Sequence, residues 1–383
     1  MQNNNSCIRL SKEKLQSIRQ RTPVFVFNKE ALLANYSLYQ QSFPTHTEIC
    51  YAVKANSENI VLKTLHEAGA SFEVASKYEL SMLKRIKIPA HQIIYGTSVK
   101  QESHLKEFVD YGIDRFAFDS EHELLKIAKY APQARVYVRA LVNDASDSVF
   151  TLSEKFGVCI SEAVELLVKA KKLGLVPYGI SFSVGSQARN EKAWANGIED
   201  LITAIQQLSE LGIEIQVINL GGGYPQSYQN HDGFPTISTI TDHIKLAIQK
   251  LPYNVKYIIE PGRGLVANTF TLLTSVIAKS KRQGRHWLYI DAGVYNAVME
   301  ALTCQGSTTY QIESLAMNGS SHGKELFVLS GPTGDGLDII HRETILPSNI
   351  QVGDKLIIYD TGAYTTTLAT TFNGFPKPKI ITI

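Results

Sequence analysis

The sequence predicts an α/β protein that consists of a (β/α)8 TIM-like barrel followed by a C-terminal β-domain of sandwich or barrel type. The first observation behind this fold class is the alternation of eight short β-rich segments with amphipathic helical segments between residues 48 and 260. The second is a change after about residue 265, where β-rich segments continue without regular helices.

The eight β-rich segments are the predicted barrel strands. They are EICYAV (48–53), SFEV (71–74), QIIY (92–95), RFAF (115–118), RVYVRAL (135–141), YGISF (178–182), IQVINL (215–220) and KYIIE (256–260). The segments between them place apolar residues on one helical face, as in NIVLKTLHEAG and in SEAVELLVKAKKLG, which ends in a helix-stopping glycine. Such a series of strand–helix units closes a TIM barrel.

Two domains are predicted from this pattern. The barrel is assigned to residues 26–265, and the β-domain to residues 266–383 together with residues 1–25. The strand and helix in PVFVFNKEALLANYSLYQQSF precede the first barrel strand, so the first residues of the chain are expected to join the β-domain. The β-rich segments of that domain are TFTLLTSVIAKS, HWLYIDAG, ELFVLSG, KLIIYDTG and KPKIITI.

Composition favours a globular protein that binds small molecules. The chain has 383 residues, of which 44% are hydrophobic and 19% charged, and its net charge of +2 gives no general reason to expect nucleic acid or membrane binding. No apolar run approaches a membrane span and the first residues lack a secretion-signal core, so a cytoplasmic location is expected. The 4 cysteines form no CxxC pair, which predicts free thiols and no metal site.

Lys54 is the most informative residue, because it ends a strand-like apolar segment and an unpaired ammonium is costly to bury. Glu73 lies in the next predicted strand. Predicted strands 6, 7 and 8 lead into the segments GISFSVGSQ, NLGGGYP and IIEPGRG, which supply glycines, hydroxyls, a carboxylate and an arginine. In a TIM barrel the carboxyl ends of all strands form one catalytic rim, so these groups are expected to lie together.

The glycine-rich segment predicts an anion site. Gly221, Gly222 and Gly223 let backbone N–H groups approach phosphate oxygens without a Cβ in the way. Arg263 adds a positive charge and a planar set of donors. The Glu260 carboxylate would be repelled by a phosphate, but it would keep a pyridine nitrogen protonated. The pattern therefore indicates pyridoxal 5′-phosphate, whose protonated ring makes loss of CO2 from an amino acid feasible.

These motifs resemble those of the barrel-type (fold type III, alanine-racemase-fold) pyridoxal-phosphate-dependent decarboxylases of ornithine, lysine, arginine and diaminopimelate. The resemblance covers nearly the whole chain, and several motifs in the same order make it specific. The matching motifs are YAVKAN, FEVAS, GSQ, GGGYP, EPGR, GPTGD and the pair GAYT and FNGF. The last pair is more similar to the ornithine/lysine branch than to diaminopimelate decarboxylases.

The resemblance implies a role for each matching residue. Lys54 would form a Schiff base with the cofactor, and Glu260 would pair with the pyridinium nitrogen. The family forms homodimers with shared active sites, so Asp335 would reach substrate bound to the neighbouring subunit, next to Gly334; Asp338 is predicted to be structural. The residues implied to bind the cofactor are Lys54, Ser183, Ser186, Gly221, Gly222, Gly223, Glu260, Arg263 and Tyr364.

Three positions depart from the family pattern. Ser183 stands where the family has a histidine that stacks on the cofactor, and Gly334 stands where it has a cysteine that protonates the product carbon. Thr303 and Cys304 occupy the place of an acidic residue that grips the distal ammonium of the substrate. A roomier and less acidic pocket predicts a larger substrate, such as a citryl-diamino acid of siderophore biosynthesis. Cys304, Lys54 and water remain alternatives as the proton donor.

Two other functions remain open from the sequence. An amino-acid racemase would need a second base, typically a tyrosine of the β-domain, and the EPGR and GGGYP motifs argue against it. A catalytically retired homologue that regulates a partner is favoured by the loss of the histidine and the cysteine. The presence of Lys54, Glu260 and the glycine-rich segment argues against it, because a retired site has no physical need for them.

Overall fold

The computed structural model describes residues 9–143, 148–150, 155–228, 233–303, 310–316 and 323–383. The chain forms two units. The barrel comprises the described residues of 35–225 and 233–264, and the β-domain comprises those of 9–34, 226–228 and 265–383. Within the described ranges, no helix is long and apolar enough to cross a lipid bilayer.

The strands and helices of the described residues have the following bounds, and they alternate in the barrel part of the chain. The strands are β1 (Val24–Phe27), β2 (Thr47–Ala52), β3 (Ser71–Val74), β4 (Ile93–Tyr95), β5 (Arg115–Phe118), β6 (Arg135–Arg139), β7 (Ser148–Phe150), β8 (Val176–Ser181), β9 (Ser186–Ala188), β10 (Val217–Asn219), β11 (Lys256–Ile259), β12 (Phe270–Arg282), β13 (Arg285–Ile290), β14 (Ile312–Ser314), β15 (Lys324–Ser330), β16 (Ile339–Pro347), β17 (Lys355–Ile358) and β18 (Lys379–Thr382). The helices are α1 (Lys12–Gln16), α2 (Lys29–Ser42), α3 (Asn59–Glu67), α4 (Lys77–Arg85), α5 (Glu102–Asp110), α6 (Glu121–Tyr130), α7 (Ile160–Lys172), α8 (Ala193–Glu210), α9 (Ile237–Ile248), α10 (Arg263–Val266) and α11 (Glu300–Thr303).

Eight parallel strands close the predicted barrel, in the order β10-β11-β2-β3-β4-β5-β6-β8. Each of the predicted barrel strands overlaps one of them, so the TIM-like barrel is confirmed. A cluster of buried side chains fills the interior and consists of Cys50, Ile94, Ala117, Tyr137, Tyr178, Val217 and Ile258. Strands that are buried on both faces appear in the sequence as short apolar runs, which explains why they are predicted well.

Serine caps fix the starts of two barrel helices. The Ser76 hydroxyl accepts a hydrogen bond from the Glu79 N–H at the start of α4, and the Ser120 hydroxyl accepts one from the Glu123 N–H at the start of α6. Such caps satisfy backbone donors that a helix cannot pair internally. The helices consequently begin directly after the serines that open the predicted helical segments.

The β-domain is built on a mixed sheet in the order β14-β17-β12-β13-β15-β16, to which β1 and β18 are added. Strand β1 pairs antiparallel with β12 and parallel with β18. The first part of the β-domain therefore extends to Ala34, whereas the predicted boundary after residue 25 lies within β1. Strands β14 and β16 are not predicted from the sequence, and neither is the small β7–β9 sheet outside the barrel.

Candidate active site

Five polar residues meet at the carboxyl rim of the barrel. Lys54 lies in the short turn that follows β2, and Glu73 lies in β3. Arg139 and Asn219 are the last residues of β6 and β10, and Glu260 follows β11. All barrel strands are parallel, so these positions share one end of the barrel. The four other residues each perturb the Glu260 carboxyl, which places them close to it.

Lys54 is an accessible amine beside a buried carboxylate. Its side chain is 53% exposed and that of Glu73 is 3% exposed, and Lys54 Nζ lies 3.5 Å from Glu73 Oε2. Gly96 makes room for Glu73, since an added Cβ there would lie 2.6 Å from Glu73 Cγ. An amine that is positioned by a carboxylate and remains open to ligands is suited to react with an aldehyde.

Glu260 is a half-buried residue whose carboxyl group has an unusual pKa. Burial, and secondly the negative charge of Glu73, raises the pKa of Glu260 to about 7. Lys54, Asn219 and Arg139 oppose this shift, and the Asn219 Nδ2 donates a hydrogen bond of 2.6 Å to Glu260 Oε1. An acid in this state is stabilised as a carboxylate when a cation binds next to it. The site is therefore suited to a cationic ring nitrogen.

Asn219 connects Glu260 to the glycine-rich loop. Its Oδ1 accepts a hydrogen bond of 2.9 Å from the Gly221 N–H, while its Nδ2 serves Glu260. Gly221 has a φ of +64°, and an added Cβ on it would lie 2.4 Å from the Phe182 carbonyl oxygen, so only glycine fits. Among the described residues, the N–H groups of Gly222 and Gly223 have no acceptor. Two N–H groups, rather than three, are thus available to an anion.

Trp194 also holds the glycine-rich loop in place. It lies in the first turn of α8, is fully buried, and its Nε1 donates a hydrogen bond of 3.2 Å to the Gly222 carbonyl. Its ring stacks on Tyr224 with centroids 4.7 Å apart and an interplanar angle of 5°. Because the Gly222 carbonyl is held by Trp194, the orientation of the adjoining peptide is fixed.

Ser186 is part of the β7–β9 sheet, and Arg263 lies next to it. Ser186 begins β9 and pairs with Phe150 of β7, whose ring centroid lies 5.9 Å from the Arg263 guanidinium carbon. Arg263 begins α10 and is buried. The Ser183 hydroxyl is half-buried and accepts a hydrogen bond of 3.4 Å from the Gly185 N–H. The structure thus brings these predicted residues together with the glycine-rich loop in one unit.

The other predicted site residues belong to the β-domain. Gly334 is exposed, and its N–H donates a hydrogen bond of 3.1 Å to Asn373 Oδ1. Asp335 accepts a hydrogen bond from the Tyr295 hydroxyl, and partial burial together with the Asp335 charge raises the pKa of Tyr295. Tyr364 has a φ of +53°, which is unusual for a tyrosine. The predicted residue Cys304 lies outside the described residues.

Asp338 is a structural residue of the β-domain. Its carboxylate accepts hydrogen bonds from the Val294 N–H (2.8 Å), the Thr333 N–H (3.0 Å) and the Thr333 hydroxyl (2.7 Å). These bonds fasten the loop that carries Gly334 and Asp335 to the loop that carries Tyr295. Full burial of the carboxylate makes this connection rigid.

Several residues of the site are not singled out by the sequence alone. Arg139 and Asn219 carry one usable signal, because they are polar residues at the carboxyl ends of predicted barrel strands. Trp194 reads as an ordinary apolar helix residue, and Tyr295 reads as a surface residue of a β-segment. Their roles depend on neighbours that are distant in the chain.

Comparison with known proteins identifies the family of this chain. Residues 29–267 match the family model described as "Pyridoxal-dependent decarboxylase, pyridoxal binding domain". This chain belongs to the pyridoxal-dependent decarboxylase family. The decarboxylase is 30% identical over 371 residues to the lysine/ornithine decarboxylase of Selenomonas ruminantium, covering 96% of this chain and 91% of that protein. It is also 30% identical to mouse (Mus musculus) ornithine decarboxylase, covering 96% of this chain and 82% of that protein.

Solved structures show the same fold. The lysine/ornithine decarboxylase of Vibrio vulnificus, complexed with putrescine, superposes with a TM-score of 0.87 at 27% identity, covering 98% of this chain and 99% of that chain. The structure of SrLDC with PLP and cadaverine gives a TM-score of 0.88 at 29% identity, covering 98% and 94% of the two chains. The decarboxylase is accordingly a carboxy-lyase whose cofactor is pyridoxal phosphate.

The rim residues of the decarboxylase fit this cofactor. An accessible amine, Lys54, lies beside the buried Glu73, and its charge acts on the half-buried Glu260, whose raised pKa favours a cationic partner. The glycine-rich loop offers N–H groups at Gly222 and Gly223 in a place where side chains have no room: an added Cβ at Gly222 would lie 2.7 Å from the Glu260 carbonyl oxygen. An aldehyde, a basic ring nitrogen and a phosphate ester each find a matching group in this set.

Proposed function

We propose that this chain removes the α-carboxylate of a diamino acid, either free or acylated on its distal amine, and releases CO2 and an amine. The observation that carries the proposal is the rim cluster in which Lys54 lies 3.5 Å from a buried glutamate and next to Glu260 with its raised pKa. The names of the relatives, which include lysine, ornithine and arginine decarboxylases, support a diamino acid as the substrate.

In this proposal, Lys54 would hold the cofactor through its aldehyde group. Glu260 would be ionised beside a protonated ring nitrogen, and Asn219 keeps its carboxylate in place with the 2.6 Å hydrogen bond. When bound, pyridoxal phosphate supplies a protonated ring that accepts the electron pair left on the α-carbon as CO2 departs. The Glu73 carboxylate would hold the Lys54 ammonium at the rim, where it could return a proton to the α-carbon.

The phosphate ester is proposed to be bound by backbone and side-chain donors. The N–H groups of Gly222 and Gly223, the Ser186 hydroxyl and the Arg263 guanidinium supply these donors in the barrel. Tyr364 of the β-domain supplies a further hydroxyl. The geometry of the glycine-rich loop supports this role, because the N–H groups of Gly222 and Gly223 have no acceptor within the described residues.

An acylated substrate is favoured by the side chains that are small at two family positions. Ser183 offers a half-buried hydroxyl, and Gly334 is exposed, with 3.9 Å between an added Cβ and Asn373 Oδ1. Both changes leave space that a bulkier distal group can fill. We include a citryl-diamino acid of siderophore biosynthesis in this substrate class. The engagement of Asp335 by Tyr295 supports a recognition of neutral as well as charged distal groups.

We further propose that the enzyme works as a homodimer. Asp335 and Gly334 belong to the β-domain, and in this family arrangement they face the active site of the neighbouring subunit. Cys304 is proposed as a second candidate for the proton donor, beside Lys54 and water. If Cys304 donates the proton, Cys304→Ser should lower kcat and let protonation on the cofactor carbon compete, which gives an aldehyde and aminated cofactor. An unchanged kcat without aminated cofactor would remove Cys304 as the donor.

Borohydride reduction of the cofactor-loaded protein, followed by peptide mapping, tests the proposal. A cofactor-derived mass on the peptide that contains Lys54, absent in Lys54→Ala, is the expected result. Lys100 is the built-in control: it is a buried amine whose pKa burial lowers to about 7, yet it is occupied by the Ser98 and Ala117 carbonyls. A mass on Lys100 in place of Lys54, or on neither residue, would contradict the assignment.

The substrate class is tested separately by CO2 release. Free L-ornithine, free L-lysine and their distal N-citryl forms are compared at concentrations below saturation, and the acylated forms are expected to have the higher kcat/KM. Equal or better turnover of the free amino acids would contradict the acylated substrate, but it would still be consistent with decarboxylation of a free diamino acid.

A further inference from the structure

The segment that precedes the first helix contributes one residue to the loop of Tyr364. We infer that Arg9 is a positioning residue for phosphate binding: its ion pair with Asp360 holds the loop 360–367 in the conformation that presents Tyr364. The inference rests on the proposed function, in which Tyr364 binds the phosphate ester. Arg9 and Asp360 lie 351 positions apart, and their contact lies within the β-domain.

The backbone of this loop is strained. Asp360 has a φ of +59° and Tyr364 a φ of +53°, both in the left-handed region that non-glycine residues rarely occupy. Such conformations persist only where the surrounding structure holds them, and they cluster at ligand sites. The loop 360–367 therefore needs contacts that offset this strain at both of its strained residues.

One side of the loop is held by backbone hydrogen bonds. The Thr361 N–H donates to the Phe270 carbonyl at 3.0 Å, and the Gly362 N–H donates to the Ala267 carbonyl at 2.8 Å. The approach is so close that an added Cβ at Gly362 would lie 1.8 Å from the Val266 carbonyl oxygen. These bonds fix the middle of the loop and leave the Asp360 side chain to be held by other groups.

Arg9 supplies that support. Its Nη2 lies 2.6 Å from Asp360 Oδ2, and the Asp360 side chain is 1% exposed. Its Nη1 donates to Gln311 Oε1 at 2.5 Å, and its guanidinium carbon lies 4.9 Å from the centroid of the Tyr359 ring. Burial raises the pKa of Asp360, and the charge of Arg9 opposes that shift. Without Arg9, the carboxylate would be a buried charge that must take up a proton or leave its position.

Buried polar atoms without a partner also mark this loop as a ligand-binding segment. Within the described residues, no hydrogen-bond partner is present for Asp360 Oδ1 or for the hydroxyls of Thr361, Thr366 and Thr367. Buried polar groups in folded proteins are normally paired, so several unpaired ones in one short loop require an explanation. A phosphate ester bound by this loop would give the three hydroxyls an acceptor, whereas Asp360 Oδ1 would be repelled by a phosphate and is left to the positive charge of Arg9.

The neighbouring ion pair offers a matched control. Lys12 of α1 lies 2.7 Å from Glu313 Oε2 of β14, and it docks the same N-terminal segment on the β-domain without touching the loop 360–367. Loss of Lys12 weakens the docking of the segment in general. Loss of Arg9 weakens the docking and also removes the counter-charge of Asp360. A difference between the two variants therefore reports on the loop.

The test uses the full chain after removal of the cofactor. It is titrated with pyridoxal phosphate and, separately, with pyridoxal, which lacks the phosphate. Quenching of tryptophan fluorescence gives the Kd of each ligand. Arg9→Gln is expected to weaken binding of pyridoxal phosphate about tenfold, the size of one hydrogen bond to a charged group, and to change the Kd of pyridoxal less than about twofold. Lys12→Gln is expected to change neither. Equal losses for both ligands, or equal effects of the two variants, would overturn the inference.

A second variant keeps the test valid if Arg9→Gln folds poorly. Asp360→Asn retains a residue that tolerates the left-handed region and removes the charge that Arg9 neutralises. In the Asp360→Asn background, the effect of Arg9→Gln on the Kd of pyridoxal phosphate should fall below about threefold. An undiminished effect contradicts the inference. A wild-type protein that binds pyridoxal phosphate at Lys54 with no Arg9 dependence refutes the inference alone, whereas absence of any binding refutes the proposed function.

Discussion

Replacement of Glu260 by Gln is expected to change how the stability of the cofactor-free protein depends on pH. The residue is half-buried, and partial burial together with the Glu73 charge raises the pKa of its carboxyl from 4.5 to about 7 in the folded protein. Between these values the folded state binds a proton that the unfolded state has already lost, so the free energy of unfolding falls as pH rises from about 5 to about 7. A shift of this size corresponds to roughly 3 kcal/mol, at about 1.4 kcal/mol for each pKa unit.

Urea unfolding of the apoprotein between pH 5 and pH 8 measures this loss. Glu260→Gln is expected to remove roughly 3 kcal/mol of the pH dependence, because the amide does not titrate. Glu79 contributes a second component of the same sign, because burial and the Glu73 charge also raise its pKa to about 7. Glu79→Gln measures that component separately. Bound pyridoxal phosphate should restore stability at the alkaline end in the wild type. Parallel pH curves for wild type and Glu260→Gln would refute the reasoning.

Two further predictions concern the glycine-rich loop and the pocket. Trp194→Phe removes the hydrogen bond to the Gly222 carbonyl. We expect a loss of about 1–3 kcal/mol in unfolding free energy and a several-fold higher Kd for pyridoxal phosphate. The control is Trp287→Phe, which should leave that Kd unchanged, because the Nε1 of Trp287 has no partner among the described residues. Ser183→His fills space in the pocket, so the kcat/KM ratio of acylated to free ornithine should fall by about tenfold or more, whereas Ser183→Ala should preserve it. An unchanged Kd in the first case, or an unchanged ratio in the second, contradicts the respective assignment.

The barrel could be predicted because each of its elements carries a local signal. Strands such as Arg115–Phe118 are buried on both faces and appear as compact apolar runs, and Ser76 and Ser120 mark the starts of the helices between them. The catalytic rim follows from the same signal, since a polar residue directly after such a run has only one end of the barrel to occupy.

The parts that could not be predicted depend on partners far away in the chain. Val24–Phe27 reads as a strand, but its pairing with Phe270–Arg282 and with the last strand cannot be read from local pattern. Strand β7 has 3 residues and exists because it pairs with β9. Arg9 reads as an ordinary charged residue near the N-terminus, and only the fold brings it to Asp360.

Asn219 fixes the position of Glu260 relative to the glycine-rich loop in the active site. One end of its amide is committed to the Gly221 N–H and the other to Glu260, so the side chain has no second orientation that satisfies both. In the proposed function, Glu260 pairs with the ring nitrogen and the glycine-rich loop binds the ester, so one amide at the end of β10 connects the two proposed contacts. A substitution at position 219 is therefore expected to disturb both neighbours at once, with one exception: aspartate keeps an acceptor for the Gly221 N–H while it loses the donor to Glu260.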